Sequence, residues 1–325
     1  MLHLTLLETR HYRPISFAAL TDVFTSVNRS ARSTGMESPF FLEQVTLDED
    51  HQLIRTPLDP PDIKYPVSNR EPDIILVPAF NYEDIKTSLE QNTPWVPVLR
   101  SWAQSGCEIA GFCTGAFLLA AAGLLDQKKA TTHLMYMDAF QQLFPQVQTR
   151  PDAVVIEDSG IYTSGGATSS FHLMLHLIKK YCGTEASLQA ARMFAIDPDR
   201  NTQSYFGDFN NGHRHSDTLV KSLQDLIDQH FADCDSVTEL MKQLPASRRS
   251  VYRRFKNATS MNPHEYLQKV RIDNARKLLE QSDKTVSEIM YECGYSDAKT
   301  FRQLFRKTVG ITPKSYRGKF NLIQT

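Results

Sequence analysis

A cysteine set between two glycines is the first residue whose surroundings could support chemistry. In GCEIAGFCTGAFLLAAAGLL (residues 106–125), the run Glu108-Ile109-Ala110 reads as a strand and Ala116 to Leu125 as an Ala/Leu-rich helix. Gly111-Phe112-Cys113-Thr114-Gly115 joins them, with Cys113 at the apex. Hydrolases use a strand, a tight turn and a helix to hold a strained nucleophile, and glycines give such a turn room. Cys113 is therefore either a nucleophile or part of a pocket that only binds. His172-x-x-x-His176 places two imidazoles on one helix face, a spacing that could hold zinc, but no Glu follows His172 and no third ligand is evident. These histidines read as helix packing, and His213-Arg-His215, in a polar stretch, as solvated. Cys107, Cys113, Cys182, Cys234 and Cys293 are scattered with no Cys-x-x-Cys. That excludes a disulfide framework or a zinc site, predicts neither metal nor cofactor, and favours a reducing, cytoplasmic setting.

The elements that must position these residues follow from periodicity. LHLTLLE reads as a first strand and not as a signal peptide, because no basic segment precedes it and no small-residue cleavage site follows. SFAALTDVFTSVNRSA is an amphipathic helix, FFLEQVTL a strand, DIILVPAF a buried strand, and WVPVLRSWAQSG a helix. After the cysteine turn, VVIED and GIYTSGG form a hairpin, and SSFHLMLHLIKKYCG is a helix closed by Gly183. Strands alternating with helices predict an α/β domain, a parallel sheet covered on both faces. The elbow then lies at the carboxyl end of its strand, where such sheets bind ligands. From Asp197 to about Ser216 the chain is rich in Asn, Asp and Gly without apolar period, and only helical patterns follow. The organisation is a domain over 1–195, a linker over 196–216 and an all-α domain over 217–325. No apolar run is long enough to span a bilayer.

Charge separates the same two parts. Residues 1–216 hold 17 Lys/Arg against 24 Asp/Glu, and residues 217–325 hold 19 against 13. Within 242–319 the balance is 18 against 7, the footprint of a polyanion-binding module. That module contains a repeat. Ser236-Val-Thr-Glu239 and Thr285-Val-Ser-Glu288 read as capping boxes. At an offset of 49, Val237, Leu240, Met241 and Leu244 recur as Val286, Ile289, Met290 and Cys293. Ser247 recurs as Ser296, Val251-Tyr252 as Thr300-Phe301, and Arg253 as Arg302. One residue later in register, Pro263-x-x-Tyr266 recurs as Pro313-x-x-Tyr316. Each copy is a capped helix, a turn and a basic second helix, the plan of a helix-turn-helix. HEYLQKVRIDNARKLLEQ between them is an amphipathic helix about 28 Å long, so two recognition helices could enter major grooves one DNA turn apart, roughly 34 Å. Phe255, Phe301 and Phe305 stand at core spacing.

LPASRRSVYRRF, RIDNARKLLE and VSEIMYECGYSDAKTFRQLFRKTVGITPKSYR resemble the AraC/XylS-type DNA-binding domain over about 90 residues. The resemblance implies double-stranded DNA as partner. It points to Ser247, Arg248, Arg249, Tyr252 and Arg253 in the first unit, and to Asp297, Lys299, Thr300, Arg302 and Gln303 in the second.

LVPAF, GFCTGAFLLAAAGLLDQKKATTH and YTSGGATSSFHLMLHLI resemble the PfpI-type, class I glutamine-amidotransferase-like superfamily, with a flavodoxin-like fold. Its enzymes place an acidic residue from the first helix beside the elbow cysteine, a position that falls on Asp22. The peptidase-like members have a histidine after the cysteine, where this chain has Thr114. Related enzymes have two glycines as oxyanion donors where this chain has Ala79-Phe80. The family's aspartate in the last helix becomes His172. His133, in ATTH, is the remaining candidate base. The domain order resembles the AraC-type regulators whose amidotransferase-like domain senses a small molecule. The resemblance implies a cytoplasmic, homodimeric regulator, an activator in most relatives and able to contact RNA polymerase. Its effector pocket falls on Asp22, Ala79, Phe80, Phe112, Cys113 and Thr114, with no catalytic residue. The competing readings are a hydratase or amidase using Cys113, as in isonitrile-hydratase-like members that share Cys-Thr, and a redox sensor at Cys113.

Overall fold

In the computed structural model the apolar runs of the first half become one seven-stranded sheet. The structure describes residues 1–58, 71–80, 84–166, 168–198, 215, 217–234, 236–259 and 261–321. Contacts divide the chain into two units, Met1–Gln203 and Ser204–Thr325. All but residues 196–198 and 215 of the expected linker lie outside the described residues, as does His213.

The strands of the first unit are β1 (Leu2–Leu7), β2 (Phe40–Leu47), β3 (Leu53–Pro57), β4 (Ile74–Val77), β5 (Glu108–Gly111), β6 (Lys129–Ala130), β7 (Gln148–Thr149), β8 (Val155–Asp158) and β9 (Ile161–Ser164). The sheet order is β3-β2-β1-β4-β5-β9-β8, and β6 and β7 form a separate pair. The five inner strands are parallel, with β3 and β8 as antiparallel edges. β4 is buried along its whole length, as a parallel strand covered on both faces must be. Helices α1 (Pro14–Ser33) and α6 (Ser169–Met193) cover one face, where Leu20, Val23, Phe24, Leu173 and Leu177 pack on Leu4, Leu6, Ile74 and Leu76. Helices α2 (Ile85–Gln91), α3 (Trp95–Gln104), α4 (Ala116–Ala121) and α5 (Met137–Leu143) contribute to the other, around Trp102, Phe117 and Phe140.

Two helices depart from expectation. The one after Cys113 is short: a 3-10 turn, Cys113–Gly115, leads into six residues of α-helix, and the chain turns away at Gly123 with φ +72°. The helix expected to close at Gly183 instead breaks there (φ 86°, ψ 172°) and resumes to Met193. Glycine tolerates that φ, so the backbone turns without ending. β3 carries no sequence signal because its residues are mostly exposed and do not alternate.

The second unit holds α7 (Thr218–His230), α8 (Val237–Met241), α9 (Arg248–Thr259), α10 (Pro263–Gln281), α11 (Val286–Glu292), α12 (Ala298–Val309) and α13 (Pro313–Phe320). It has two cores that share one helix. Tyr266 and Leu267 of α10 pack with α7, α8 and α9, whereas Ile272, Ala275 and Leu279 pack with α11, α12 and α13. Arg271, at the junction, donates to the carbonyls of Phe231 (2.7 Å) and Cys234 (2.8 Å) and lies over the Tyr295 ring at 5.5 Å. One guanidinium thus ties the α7–α8 connection to the α11–α12 turn. Gly294 makes room for it: a Cβ there would meet Ala232 O at 2.6 Å and Arg271 Nη2 at 2.9 Å.

The repeat is real, but its register shift sits earlier than expected. The buried pairs are Val251 with Phe301 and Phe255 with Phe305, so the second helices correspond at an offset of 50, not 49. The first helices keep 49, and the extra residue falls before α12. Ser247 therefore corresponds to Asp297, Arg249 to Lys299, and Arg253 to Gln303. Thr285 and Glu288 form a capping box, but Ser236 makes no side-chain cap, and its Glu239 pairs with Lys242 at 2.8 Å instead. A capping box does stand at Asn262 and Glu265, where α10 begins.

Candidate functional site

The elbow forms where three parallel strands end together. Gly111 of β5 pairs with Val77 of β4 and Thr163 of β9, and Cys113 follows with φ +56°, a strained value for a residue with a side chain. Gly115 lets the turn approach β4: a Cβ there would lie 2.5 Å from Val77 O and 3.0 Å from Pro78 O. The geometry is that of a nucleophile elbow.

Its hydrogen bonds point inward. The Cys113 N–H donates to Ser164 Oγ (3.1 Å), and Thr132 Oγ1 donates to Cys113 O (2.8 Å). The Ala79 N–H donates to Ser16 Oγ at 3.0 Å. The Phe80 N–H donates to Thr114 Oγ1 (3.0 Å), whose hydroxyl donates back to Phe80 O (2.5 Å). The groups that would serve as oxyanion donors at Ala79 and Phe80 are thus already bonded, one of them to the threonine that stands in the histidine position. Ala79, Phe80, Phe112, Cys113 and Thr114 are all buried, with Cys113 only 2% exposed. Burial pushes the Cys113 thiol up to about 11, against smaller opposing contributions from the Thr114 N–H and the Arg13 charge, which disfavours a thiolate near neutral pH.

The expected partners of the thiol are elsewhere. Asp22 is exposed on α1, about two turns into the helix, and makes no hydrogen bond to Cys113 among the described residues. The first-helix residues at the elbow are Arg13 and Ser16, at the start of α1 where the Arg13 N–H donates to Ala79 O at 2.7 Å. No acidic residue marks this position, so the family resemblance does not point to it. His133 is half-buried, and its Nδ1 accepts from the Met135 N–H at 3.2 Å. Burial, and then the Arg13 charge, push its pKa down. With its Nδ1 lone pair used as a cap, it makes no hydrogen bond to Cys113 among the described residues.

The paired histidines are engaged by protein groups. His172 places Nδ1 3.2 Å from Thr168 O and Nε2 2.9 Å from Asp197 O, while His176 Nε2 lies 2.8 Å from Glu157. Among the described residues, no three His, Cys, Asp or Glu side chains are placed to hold one. His215, expected in solvent, is half-buried against α7, its Nε2 2.9 Å from Gln224 Oε1.

The second unit presents the opposite arrangement. On α9 and α12 the buried residues are Val251, Phe255, Phe301, Phe305 and Val309, and the remaining faces carry charge outward. Arg248, Arg249, Arg253, Lys299, Thr300, Arg302 and Gln303 are exposed, and the charged ones form no ion pair among the described residues. Tyr252 is half-buried, with the Arg248 guanidinium over its ring at 5.8 Å. Ser247 and Asp297 are engaged locally. Ser247 Oγ accepts from the Ser250 N–H (3.3 Å), and the Asp297 carboxylate accepts from the Thr300 N–H (2.7 Å). Hydrogen bonds from Thr300, first from its side chain and then from its backbone, hold the Asp297 carboxyl below its ordinary range. Arg254 is also committed, to Asp217 at 2.6 and 2.8 Å.

A helix-turn-helix domain model matches residues 240–319, and a DJ-1/PfpI family model matches residues 59–180. This chain joins a DJ-1/PfpI domain to an AraC-type helix-turn-helix domain. It is 28% identical over 253 residues to the HTH-type transcriptional regulator CdhR of Pseudomonas aeruginosa, covering 75% of this chain and 72% of CdhR. It is 29% identical over 223 residues to GbdR of the same species, covering 68% of this chain and 60% of GbdR. A solved structure of a putative transcriptional regulator protein from Vibrio parahaemolyticus aligns with 59% of this chain and 98% of its own, at 21% identity and a TM-score of 0.45. Among the described residues no helix is long and apolar enough to cross a membrane.

Proposed function

We propose that this chain is a sequence-specific DNA-binding transcription regulator whose DJ-1/PfpI domain senses a small molecule. The observation that carries it is the pair of second helices, each buried on one side and bearing on the other basic side chains that, Arg254 apart, make no ion pair among the described residues, joined by one continuous helix. The N-terminal residues of a recognition helix reach base edges in the major groove, and arginine suits guanine or phosphate. Arg248, Arg249, Tyr252 and Arg253 of α9, with Lys299, Thr300, Arg302 and Gln303 of α12, are the contacts; Ser247 and Asp297 position their helices as caps. CdhR and GbdR, each similar to this chain over two thirds of it or more, are named transcriptional regulators. Over 114 residues of the chain the identity to the HTH-type transcriptional activator RhaS of Salmonella is 33%, covering 35% of this chain and 41% of RhaS. That supports activation as the sense of regulation. A cytoplasmic homodimer is the state in which it acts.

In this reading the elbow is a structural inheritance from a nucleophile and not a catalytic centre. The support is the set of bonds that occupies the backbone donors around Cys113, together with its buried thiol. Retention of sheared genomic DNA by the full-length protein at moderate salt, followed by sequencing, tests the function. Discrete sites support a regulator. Diffuse retention that vanishes with salt, together with Cys113-dependent turnover of amides or isonitriles, returns the enzyme.

A further inference from the structure

We propose that β3 is a docking edge for a second copy of this chain: the β3 strands of two copies pair antiparallel about a two-fold axis at Ile54 and join their sheets into one. The inference rests on the homodimer of the regulator reading above and names its interface.

β3 is an edge strand, and among the described residues it pairs with β2 only. The Asp48 N–H donates to Gln52 O (3.1 Å) and the Leu58 N–H to Leu42 O (2.9 Å). Hydrogen-bonded pairs alternate along an antiparallel ladder, so in the register Thr46↔Ile54 and Gln44↔Thr56 it is Ile54 and Thr56 that turn their backbone groups toward β2. Leu53 and Arg55 turn theirs outward, an N–H and a C=O each, and Pro57 has no N–H to leave unpaired. Leu53 and Ile54 are 37% and 49% exposed. Natural sheets blunt such an edge with charge or cover it. The opposite edge, β8, shows both: it carries Glu157 and Asp158, and the Asp158 carboxylate accepts the Lys129 N–H of β6 at 2.9 Å. The only charged residue of β3 is Arg55, and its guanidinium lies 2.6 Å from the buried Glu43 carboxylate. The β3 edge is thus open, apolar and free of uncompensated charge.

These groups select one occupant and one register. A two-fold pairing centred on Ile54 sets Leu53 opposite the second copy's Arg55. Both have outward N–H and C=O groups, so each donates to and accepts from the other. Ile54 then meets its own copy in a non-hydrogen-bonded pair, the kind in which side chains approach most closely. No like charges oppose each other, and the Glu43 carboxylate already neutralises Arg55. Moving the centre to Arg55 would set arginine against arginine, and Leu53 O against a proline nitrogen that carries no hydrogen. Centring the axis between two residues would face outward groups with inward ones, and no ladder would form. Because the same strand serves both copies, the contact closes on itself and leaves no β3 edge for a third chain. A strand from another protein would satisfy the backbone alone, whereas a second β3 matches its donors, its acceptors and its apolar residue at once.

The test joins sedimentation velocity to cross-linking, both on the full-length protein. Wild type should sediment as a dimer. Ile54→Arg sets two cations across the axis and should raise the dissociation constant about tenfold or more. Trp95 and Trp102 lie in the core of the same unit, so native tryptophan fluorescence shows that this variant remains folded. Ile54→Cys places two thiols across the axis with Cα atoms about 4.5 Å apart, within disulfide reach. Leu53→Cys places them roughly 8 Å apart, beyond that reach. Mild oxidation should therefore join Ile54→Cys into a reducible covalent dimer and leave Leu53→Cys and the wild type unjoined. If Ile54→Arg does not fold, the two cysteine variants decide alone. A wild type that stays monomeric at tens of micromolar overturns the proposal. So does a dimer that Ile54→Arg leaves intact, which puts the axis on another face. Equal cross-linking of Ile54→Cys and Leu53→Cys overturns it as well, since it reports collision and not a fixed register. Discrete DNA sites retained by a monomeric wild type overturn the interface and leave the regulator standing. An Ile54-dependent dimer that retains no discrete site does the reverse, so the two failures are distinct.

Discussion

The elbow of the first unit and the second helices of the second unit both announce themselves as motifs, yet they direct their polar groups in opposite senses. Around Cys113 each strained or polar atom is met from within: Ser164, Thr132, Ser16 and Thr114 occupy the backbone groups that an active site would keep free. On α9 and α12 the cations face water without ion-pair partners among the described residues, while cap residues and phenylalanines settle the helices. A buried polar group left unpaired is costly, so satisfied groups mark a part that holds its shape. Exposed, unpaired cations on a rigid helix are free to meet phosphates and bases. The proposed reading of the two regions rests on this difference more than on either motif alone.

The largest effect should come from Gly115→Ala. Its Cβ meets two backbone carbonyl oxygens, which cannot swing aside, and the first unit should lose roughly 3 kcal/mol or more. Both tryptophans of the chain, Trp95 and Trp102, lie in the core of that unit, so fluorescence-detected unfolding reads it alone. Helices α9 and α12 should keep their hydrogen-exchange protection. Loss of protection in both units would break the comparison.

Next come Arg249→Ala and Arg302→Ala. Each should weaken binding to a retained DNA site about 10- to 100-fold, on the order of 1–3 kcal/mol, and leave the tryptophan unfolding curve in place. Unchanged affinity in both would show that α9 and α12 are solvated faces only.

Asp273 sharpens the contrast from inside the second unit. It sits on α10, and burial raises its pKa to about 6 despite Lys269, Arg276 and Lys277 nearby. Between its ordinary value, about 4, and 6 the folded state holds the extra proton, so stability falls as pH rises through this window and levels off above it. Asp273→Asn should match the wild type below pH ~4 and exceed it above pH ~7 by on the order of 2 kcal/mol. Hydrogen exchange of α10 peptides across that range measures it; a difference of opposite sign would contradict the burial argument.

The smallest effect is expected at the cysteine. Native Cys113 should resist iodoacetamide, and Cys113→Ala should leave DNA affinity unchanged and show no loss of turnover on isonitriles or amides. Rapid labelling of native Cys113 would return it to the list of nucleophiles or redox sensors.

The parallel sheet and the helical repeat were legible because buried apolar runs and paired Pro-x-x-Tyr segments are local signals. The elbow was legible for the same reason: glycines bracket one cysteine. Its surroundings were not, because the residues that close it, Ser16, Thr132 and Ser164, come from three separate elements and are common residue types. Asp22 failed because the alignment sought a carboxylate where the chain has Arg13 and Ser16. The register of the repeat was misplaced by one residue because similar basic residues occur side by side in both copies, and only burial of Val251 and Phe301 distinguishes the two alignments. Arg271 was part of a quoted motif, but its role as a tie between the two halves needs the fold.

The most direct test of the central claim is a hydroxyl-radical footprint of the full-length protein on one retained DNA fragment. Two protected stretches on one face of the duplex, about one helical turn apart, are predicted, one lost in Arg249→Ala and the other in Arg302→Ala. A uniform footprint that neither substitution alters would contradict the account.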